Sequence, residues 1–138
     1  MICDTGGLIS GLIAHQPHEE DSLAAINSAD QLIVSPLVLC ELDYLVTQRH
    51  GGKVAGRVLA RLAEPEYEIA TFESGDLLTA LDVMETYADI NIGLTDASLV
   101  VLAKRYNTNE ILTLDQRHFR AIRGLDGRHF KLLPFDME

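Results

Sequence analysis

Apolar and polar positions alternate along this chain in two rhythms. Short runs of apolar residues have the length of buried strands: Met1 to Cys3, Leu32 to Val34, Tyr67 to Phe72, Glu110 to Leu114 and, more weakly, Phe130 to Leu133. Between them the apolar residues return every three or four positions, the period of an amphipathic helix. That spacing predicts helices over Gly7 to Ala14, Asp21 to Ser28, Leu37 to Arg49, Lys53 to Ala63, Asp76 to Tyr87 and Asp96 to Arg105. Strands separated by helices build right-handed βαβ units. The chain therefore reads as α/β, with a central parallel sheet of about five strands covered by helices on both faces. No repeat, low-complexity tract or linker interrupts the alternation, and 138 residues suit a single domain over 1–138.

In a sheet of this kind a ligand sits beyond the carboxyl ends of the strands, where the strand order reverses. Two acids are placed at that edge. Asp4 ends the first apolar run and Asp115 ends the fourth. Each has an ordinary alternative role as the cap of the helix or turn that follows. If the first and fourth strands are neighbours, the two carboxylates meet. Glu41, projected on a helix, shares its side with Leu37, Val38, Tyr44 and Leu45, a side expected to face inward; Asp43 falls instead with Thr47 and His50 on a solvated edge. A carboxylate on an apolar face needs a cation or an ion-pair partner, and no Lys or Arg precedes Arg49. Asp96 opens the helix that runs to Arg105, where an acid also suits the helix dipole.

Singly, none of these acids is diagnostic. Together, four carboxylates from four elements form a hard-oxygen cluster suited to Mg²⁺ or Mn²⁺. Zinc would call for Cys or His ligands, and the five histidines contain no His-x-x-x-His pair. His15 and His18 are separated by Pro17 and read as a solvated loop.

Composition then sharpens the picture. Apolar residues make up 47% and charged residues 23%, enough for a packed core. Eleven Lys+Arg face 21 Asp+Glu, a formal charge of −10, which argues against binding of a polyanion over a broad basic surface. Position qualifies that total. Residues 1–48 carry seven acids and no base, and residues 62–103 carry nine acids and no base. All 11 basic residues fall within 49–61 and 104–131, and Lys53, Arg57 and Arg61 can share one helical stripe. Such stripes commonly solvate a helix or pair with acids. Cys3 and Cys40 lie in apolar runs, where buried reduced thiols are the ordinary state, and two cysteines make no disulfide framework. No apolar stretch approaches ~18 residues. The start Met1-Ile2-Cys3-Asp4 lacks the basic flank of a signal peptide, so the expectation is a cytoplasmic protein without a membrane span.

The order Asp4, Glu41, Asp96, Asp115 resembles the acidic quartet of PIN-domain nucleases, specifically the VapC toxins of bacterial toxin–antitoxin pairs. The matching segments are Ile2-Cys3-Asp4-Thr5, Ser35 to Leu42, Leu94-Thr95-Asp96-Ala97 and Leu112 to Phe119. The last is close to the family's Thr-x-Asp-x-x-His-Phe and is the most specific, and the match runs essentially the whole chain. The resemblance implies a three-layer α/β/α PIN-like fold and a Mg²⁺- or Mn²⁺-dependent endoribonuclease that cuts transfer or ribosomal RNA to 5′-phosphate and 3′-hydroxyl ends. It implies Asp4, Glu41, Asp96 and Asp115 as catalytic metal ligands, a VapB-type antitoxin as partner, and a homodimer within a larger toxin–antitoxin complex. Arg117, His118 and Arg120 become candidates to contact RNA, while the 49–61 window suits an antitoxin or dimer contact. One position departs: many family members carry Ser or Asn two residues after the first Asp, and this chain has Gly6. The hydrogen bond that organises Asp4 then falls to Thr5 or a water. Two other acidic α/β classes compete. An acid-nucleophile phosphatase would want Asp in place of Gly6, and a receiver-like module would want a Lys at the end of its last strands, where Lys131 is poorly placed.

Overall fold

A computed structural model describes residues 1–137 of the chain. Five short strands form where the apolar runs lie: β1 (Ile2–Cys3), β2 (Leu32–Val34), β3 (Tyr67–Ile69), β4 (Glu110–Leu112) and β5 (Lys131–Leu133). They make one parallel sheet in the order β3-β2-β1-β4-β5. Helices α1 (Thr5–Leu12) and α2 (Glu19–Ser28) join β1 to β2; α3 (Pro36–His50) and α4 (Gly52–Leu62) join β2 to β3. Helices α5 (Ser74–Thr86) and α6 (Leu94–Arg105) then carry the chain from one edge across to β4, on the far side of β1. The strand order thus reverses between β1 and β4, which opens a crevice above their carboxyl ends.

Ile2, Cys3, Val34, Ile111 and Leu112 are fully buried, as strands covered on both faces require. The result is the three-layer α/β/α arrangement that the alternation predicts. Burial pushes the Cys3 thiol up to about 12, so it stays a neutral core group.

Local chemistry sets the element starts near the crevice. Ser35 caps α3 by accepting from the Leu37 N–H, and Pro36 occupies the first helical position, where its missing N–H costs nothing. The Ser35 hydroxyl also meets that of Ser98 at 2.9 Å, so a buried hydroxyl pair ties the start of α3 to α6. Gly7 lets α1 lie directly on β4: a Cβ there would come within 2.5 Å of the Leu112 carbonyl oxygen.

Several expectations need correction. The inward face of α3 runs through Val38, Leu42 and Val46, not through Glu41 and Tyr44; Tyr44 is 64% exposed and Glu41 is exposed as well. The difference is a rotation of the helix by one residue, which periodicity could not resolve because both sides carry apolar residues. Cys40 is exposed for the same reason. Two short helical segments were not predicted: α7 (Gln116–Ala121), which follows β4, and a turn of 3₁₀ helix over Ala88–Ile90. The third strand stops at Ile69 rather than Phe72, because Glu73 and Asp76 form a reciprocal capping box that starts α5. Asp43 does bond Thr47 on a solvated edge, and His15 and His18 lie in the α1–α2 connection, both with left-handed backbone. Among the described residues, no helix is long and apolar enough to cross a membrane.

Candidate metal centre

The four acids come from the four elements that surround the crevice. Asp4 follows β1, Glu41 lies in α3, Asp96 in the first turn of α6, and Asp115 precedes α7. The Asp4 amide continues the ladder past β1 by donating to the Leu112 carbonyl oxygen at 2.8 Å, which locks its backbone against β4. Capping and site roles coincide here. Asp4 Oδ1 accepts from the Thr5 N–H at 2.8 Å, and Asp115 Oδ1 accepts from the His118 N–H at 3.1 Å, so each acid starts a helix with one oxygen. The other oxygen of each is left for different work.

Thr113 links the two. Its hydroxyl donates to Asp4 Oδ2 at 2.7 Å and accepts from the Asp115 N–H at 2.9 Å. It is buried, and the motif Thr113-Leu114-Asp115 was the available signal for it. The support expected from the Thr5 hydroxyl is supplied instead by the Thr5 backbone together with Thr113; the Thr5 hydroxyl oxygen is buried without a protein partner. Gly6 is not demanded by space, since an added Cβ would make only an ordinary 3.8 Å contact with Leu114.

Electrostatically the crevice holds more negative charge than the protein neutralises. Asp4 is only 7% exposed, and burial pushes its carboxyl up to about 7, with help from the charges of Asp96 and Glu41 and against the bonds from Thr113 and Thr5. Burial also raises Asp96, while His118 pulls it back. Glu41 thus acts on buried Asp4 and half-buried Asp96 from the exposed wall, although Glu41 and Asp4 both lie outside the tight group of ligand atoms. That group is Asp96, Asp115 and His118, whose ligating atoms lie within 4.8 Å of one another. His118 Nδ1 stands 3.1 Å from Asp96 Oδ2 and 3.1 Å from Asp115 Oδ2. Among the described residues, no Lys or Arg pairs with any of the four acids. Uncompensated carboxylates, one of them buried, are a donor set that fits a divalent cation with hard oxygen preference.

The basic candidates divide. Arg117 is exposed, whereas Arg120 makes a two-pronged pair with Asp136 at 2.8 Å and holds that carboxyl down to about 2. His118 faces the acids. A cleft of about 260 Å³ borders the cluster, lined in part by Thr5, Gly6, Glu41, Leu45, Arg49 and Leu114. Lys131 sits at the opposite end of the sheet beside Glu110 at 3.7 Å, which removes the lysine that a receiver-like site would need.

The parallel sheet carries a carboxylate crevice at its switch point, and the chain belongs to the PIN domain family, whose model matches residues 1–125. Over 135 residues it is 43% identical to Ribonuclease VapC26 of Mycobacterium tuberculosis, covering 97% of this chain and 100% of that one. Among solved structures it is similar to VapC20 of M. tuberculosis, a sarcin–ricin loop cleaving toxin, with a TM-score of 0.77 and 13% identity over 84% of this chain and 90% of that one. It is also similar to VapBC2 of Rickettsia felis bound to a promoter DNA fragment, with a TM-score of 0.68 and 17% identity over 95% and 96% of the two chains. At these identities the structural likenesses concern the fold.

Proposed function

We propose that this chain is the ribonuclease toxin of a VapBC-type pair, an endoribonuclease that needs Mg²⁺ or Mn²⁺, cuts structured transfer or ribosomal RNA to 5′-phosphate and 3′-hydroxyl ends, and is silenced by a small VapB-type antitoxin. The observation that carries this reading is the close group of Asp96, Asp115 and His118, with buried Asp4 and exposed Glu41 near enough for their charges to act on one another, in a crevice where no Lys or Arg of the described residues pairs with the acids. A bound divalent cation would supply charge neutralisation at the scissile phosphate and a water acidic enough to act as nucleophile. The protein's share is to hold the carboxylates in place. Asp4 is held by the Thr5 amide and the Thr113 hydroxyl, Asp115 by its own amide on Thr113, and Asp96, in the first turn of α6, by the His118 ring at 3.1 Å. Sequence similarity to a named ribonuclease supports the choice of RNA as substrate.

Arg117 is the basic residue beside the crevice best placed to meet RNA phosphates, being exposed on α7 two residues after Asp115. Within the 49–61 window, Arg49 lines the cleft beside Glu41, whereas the later part suits a protein contact. Arg57 and Arg61 flank an apolar groove of about 450 Å³ formed by Leu12, Ile13, Val54 and Val58, away from the acids. That combination supports an antitoxin that lays apolar side chains in the groove and brings an acid to Arg57, since Arg61 is paired within the chain to Glu64 and Glu66. A homodimer and cytoplasmic location belong to the same proposal.

Asp4→Asn keeps the shape of the side chain and removes its charge. It is expected to abolish RNA cleavage in Mg²⁺ or Mn²⁺ while circular dichroism remains that of the folded protein. Sequencing of RNA 5′ ends after brief induction, with this variant as control, locates the cut. Wild-type cleavage rates in Asp4→Asn would overturn the mechanism.

A further inference from the structure

We propose that His118 is itself a ligand of the divalent cation, forming with Asp96 and Asp115 a donor set of two carboxylates and one imidazole that favours Mn²⁺ over Mg²⁺, an assignment that rests on the metal-dependent reading above and narrows its ion. The geometry around Nδ1 carries it. This atom stands 3.1 Å from Oδ2 of Asp96 and 3.1 Å from Oδ2 of Asp115. An imidazolium clamped on a carboxylate closes to about 2.7–2.9 Å. Neither contact here is that short, and the two are equal. Distances of 3.1 Å suit a neutral imidazole shared between two carboxylates, and they equally suit two ligands ~2.1 Å from one metal and at right angles, which stand ~3.0 Å apart. The three ligating atoms lie within 4.8 Å of one another, so a small closing movement of the side chains would bring all three onto one ion.

The ring is held where it is. The His118 N–H bonds Asp115 Oδ1 at 3.1 Å, and the next residue, Phe119, is buried with its ring edge-on to Phe130 at 6.3 Å. Helix α7 is thereby anchored on both sides of the imidazole. With the ring proton on Nε2, the Nδ1 lone pair faces the space that Asp96 and Asp115 share. Imidazole nitrogen is a softer donor than carboxylate or water oxygen, and its inclusion moves the preference from Mg²⁺ towards Mn²⁺. A site made only of the four carboxylates would lack that bias.

The test uses the full-length, untagged chain stripped of metal and titrated with Mn²⁺ under electron paramagnetic resonance. Electron spin-echo modulation of frozen samples reads a directly bound nitrogen without reference to activity. The wild-type chain is expected to give the modulation of one imidazole nitrogen. His118→Gln is expected to lose it and to bind Mn²⁺ roughly tenfold more weakly, with a smaller change for Mg²⁺ measured by competition. Mn²⁺ that binds the wild type, is weakened by Asp96→Asn and shows no nitrogen modulation would overturn the His118 assignment and leave the carboxylate metal site standing. No Mn²⁺ binding to the wild type would overturn both. The wild-type spectrum decides the matter even if His118→Gln does not fold.

Discussion

Thr113 shows how much of this site hangs on one hydroxyl. Its oxygen donates to Asp4 and accepts from the Asp115 amide, so it fixes the separation of two acids that lie 111 positions apart in the chain. It is fully buried, and its loss leaves a buried carboxylate oxygen and a half-buried N–H short of a partner. Thr113→Val, nearly equal in volume, is expected to lower stability by about 1–3 kcal/mol and to reduce cleavage, whereas Thr113→Ser keeps most of both. Urea midpoints and initial cleavage rates on the three proteins test this. Asp4 and Asp115 teach a related lesson. Each reads in sequence as either a cap or a ligand, and each does accept a backbone N–H with one oxygen, while the second oxygen of Asp4 takes the Thr113 hydroxyl and that of Asp115 faces His118.

At the scale of elements, the contact between α1 and β4 positions the first acid. Gly7 lies against the Leu112 carbonyl, and Leu112 in turn accepts from the Asp4 amide. A methyl group at Gly7 would force helix and strand apart at the point where they set the Asp4 backbone. Gly7→Ala is expected to cost about 1–3 kcal/mol through this overpacking, against the modest gain that Ala brings to an unobstructed helix. Gly6→Ala, with ordinary contact distances, is the control and is expected to be close to neutral; thermal unfolding of the two variants compares them. The helices and strands themselves were legible in sequence, since six helices and five strands appear within a few residues of the apolar pattern. Helix α7 was not, because six residues are too few for a period to declare itself. Nor was the rotation of α3, where a wall of Leu and Tyr on one side resembles the true inward stripe of Val38, Leu42 and Val46.

For the whole molecule, the net charge of −10 divides into parts that do different things. Much of the basic charge is committed: Arg61 to Glu64 and Glu66, Arg105 to Asp76, Arg120 to Asp136 and Arg128 to Asp126. The crevice acids are left unneutralised, which has a consequence for pH. Asp4 is raised to about 7 in the fold, chiefly by burial, so the folded state favours its protonated form. The stability this adds is complete below the ordinary Asp value and is lost as pH rises through about 7. Asp96 is raised in the same direction. The stability from Asp136, lowered to about 2 by Arg120, is complete above the ordinary Asp value and lost as pH falls through about 2, so it does not blur the trend. The metal-free chain is therefore expected to melt at lower temperature near about pH 8 than near about pH 5.5. A divalent cation, binding the ionised acids, reverses that order. Asp4→Asn flattens the metal-free dependence, and melting curves at the two pH values with and without metal are the check. Exposed Arg117 supplies a second whole-molecule test. Arg117→Ala is expected to weaken RNA binding and to lower the salt slope by about one phosphate contact, while Arg120→Ala chiefly loosens the C-terminal segment held through Asp136, which also accepts from the Leu132 N–H.

The linear order of residues by itself determined the class of fold, the edge of the sheet where chemistry belongs, and the four acids worth watching. These follow from short apolar runs, from the 3.6-residue helical period, and from acids placed after such a run or at a helix start, all of which are local; Glu41 was singled out by a helix face that the structure turns outward. Only the tertiary structure decided that Thr113 ties Asp4 to Asp115, that Glu41 stands on an exposed wall, and that His118 turns towards Asp96 rather than outward. Those relations join residues 22 or more positions apart or depend on the rotation of a packed helix, and neither is written in local spacing.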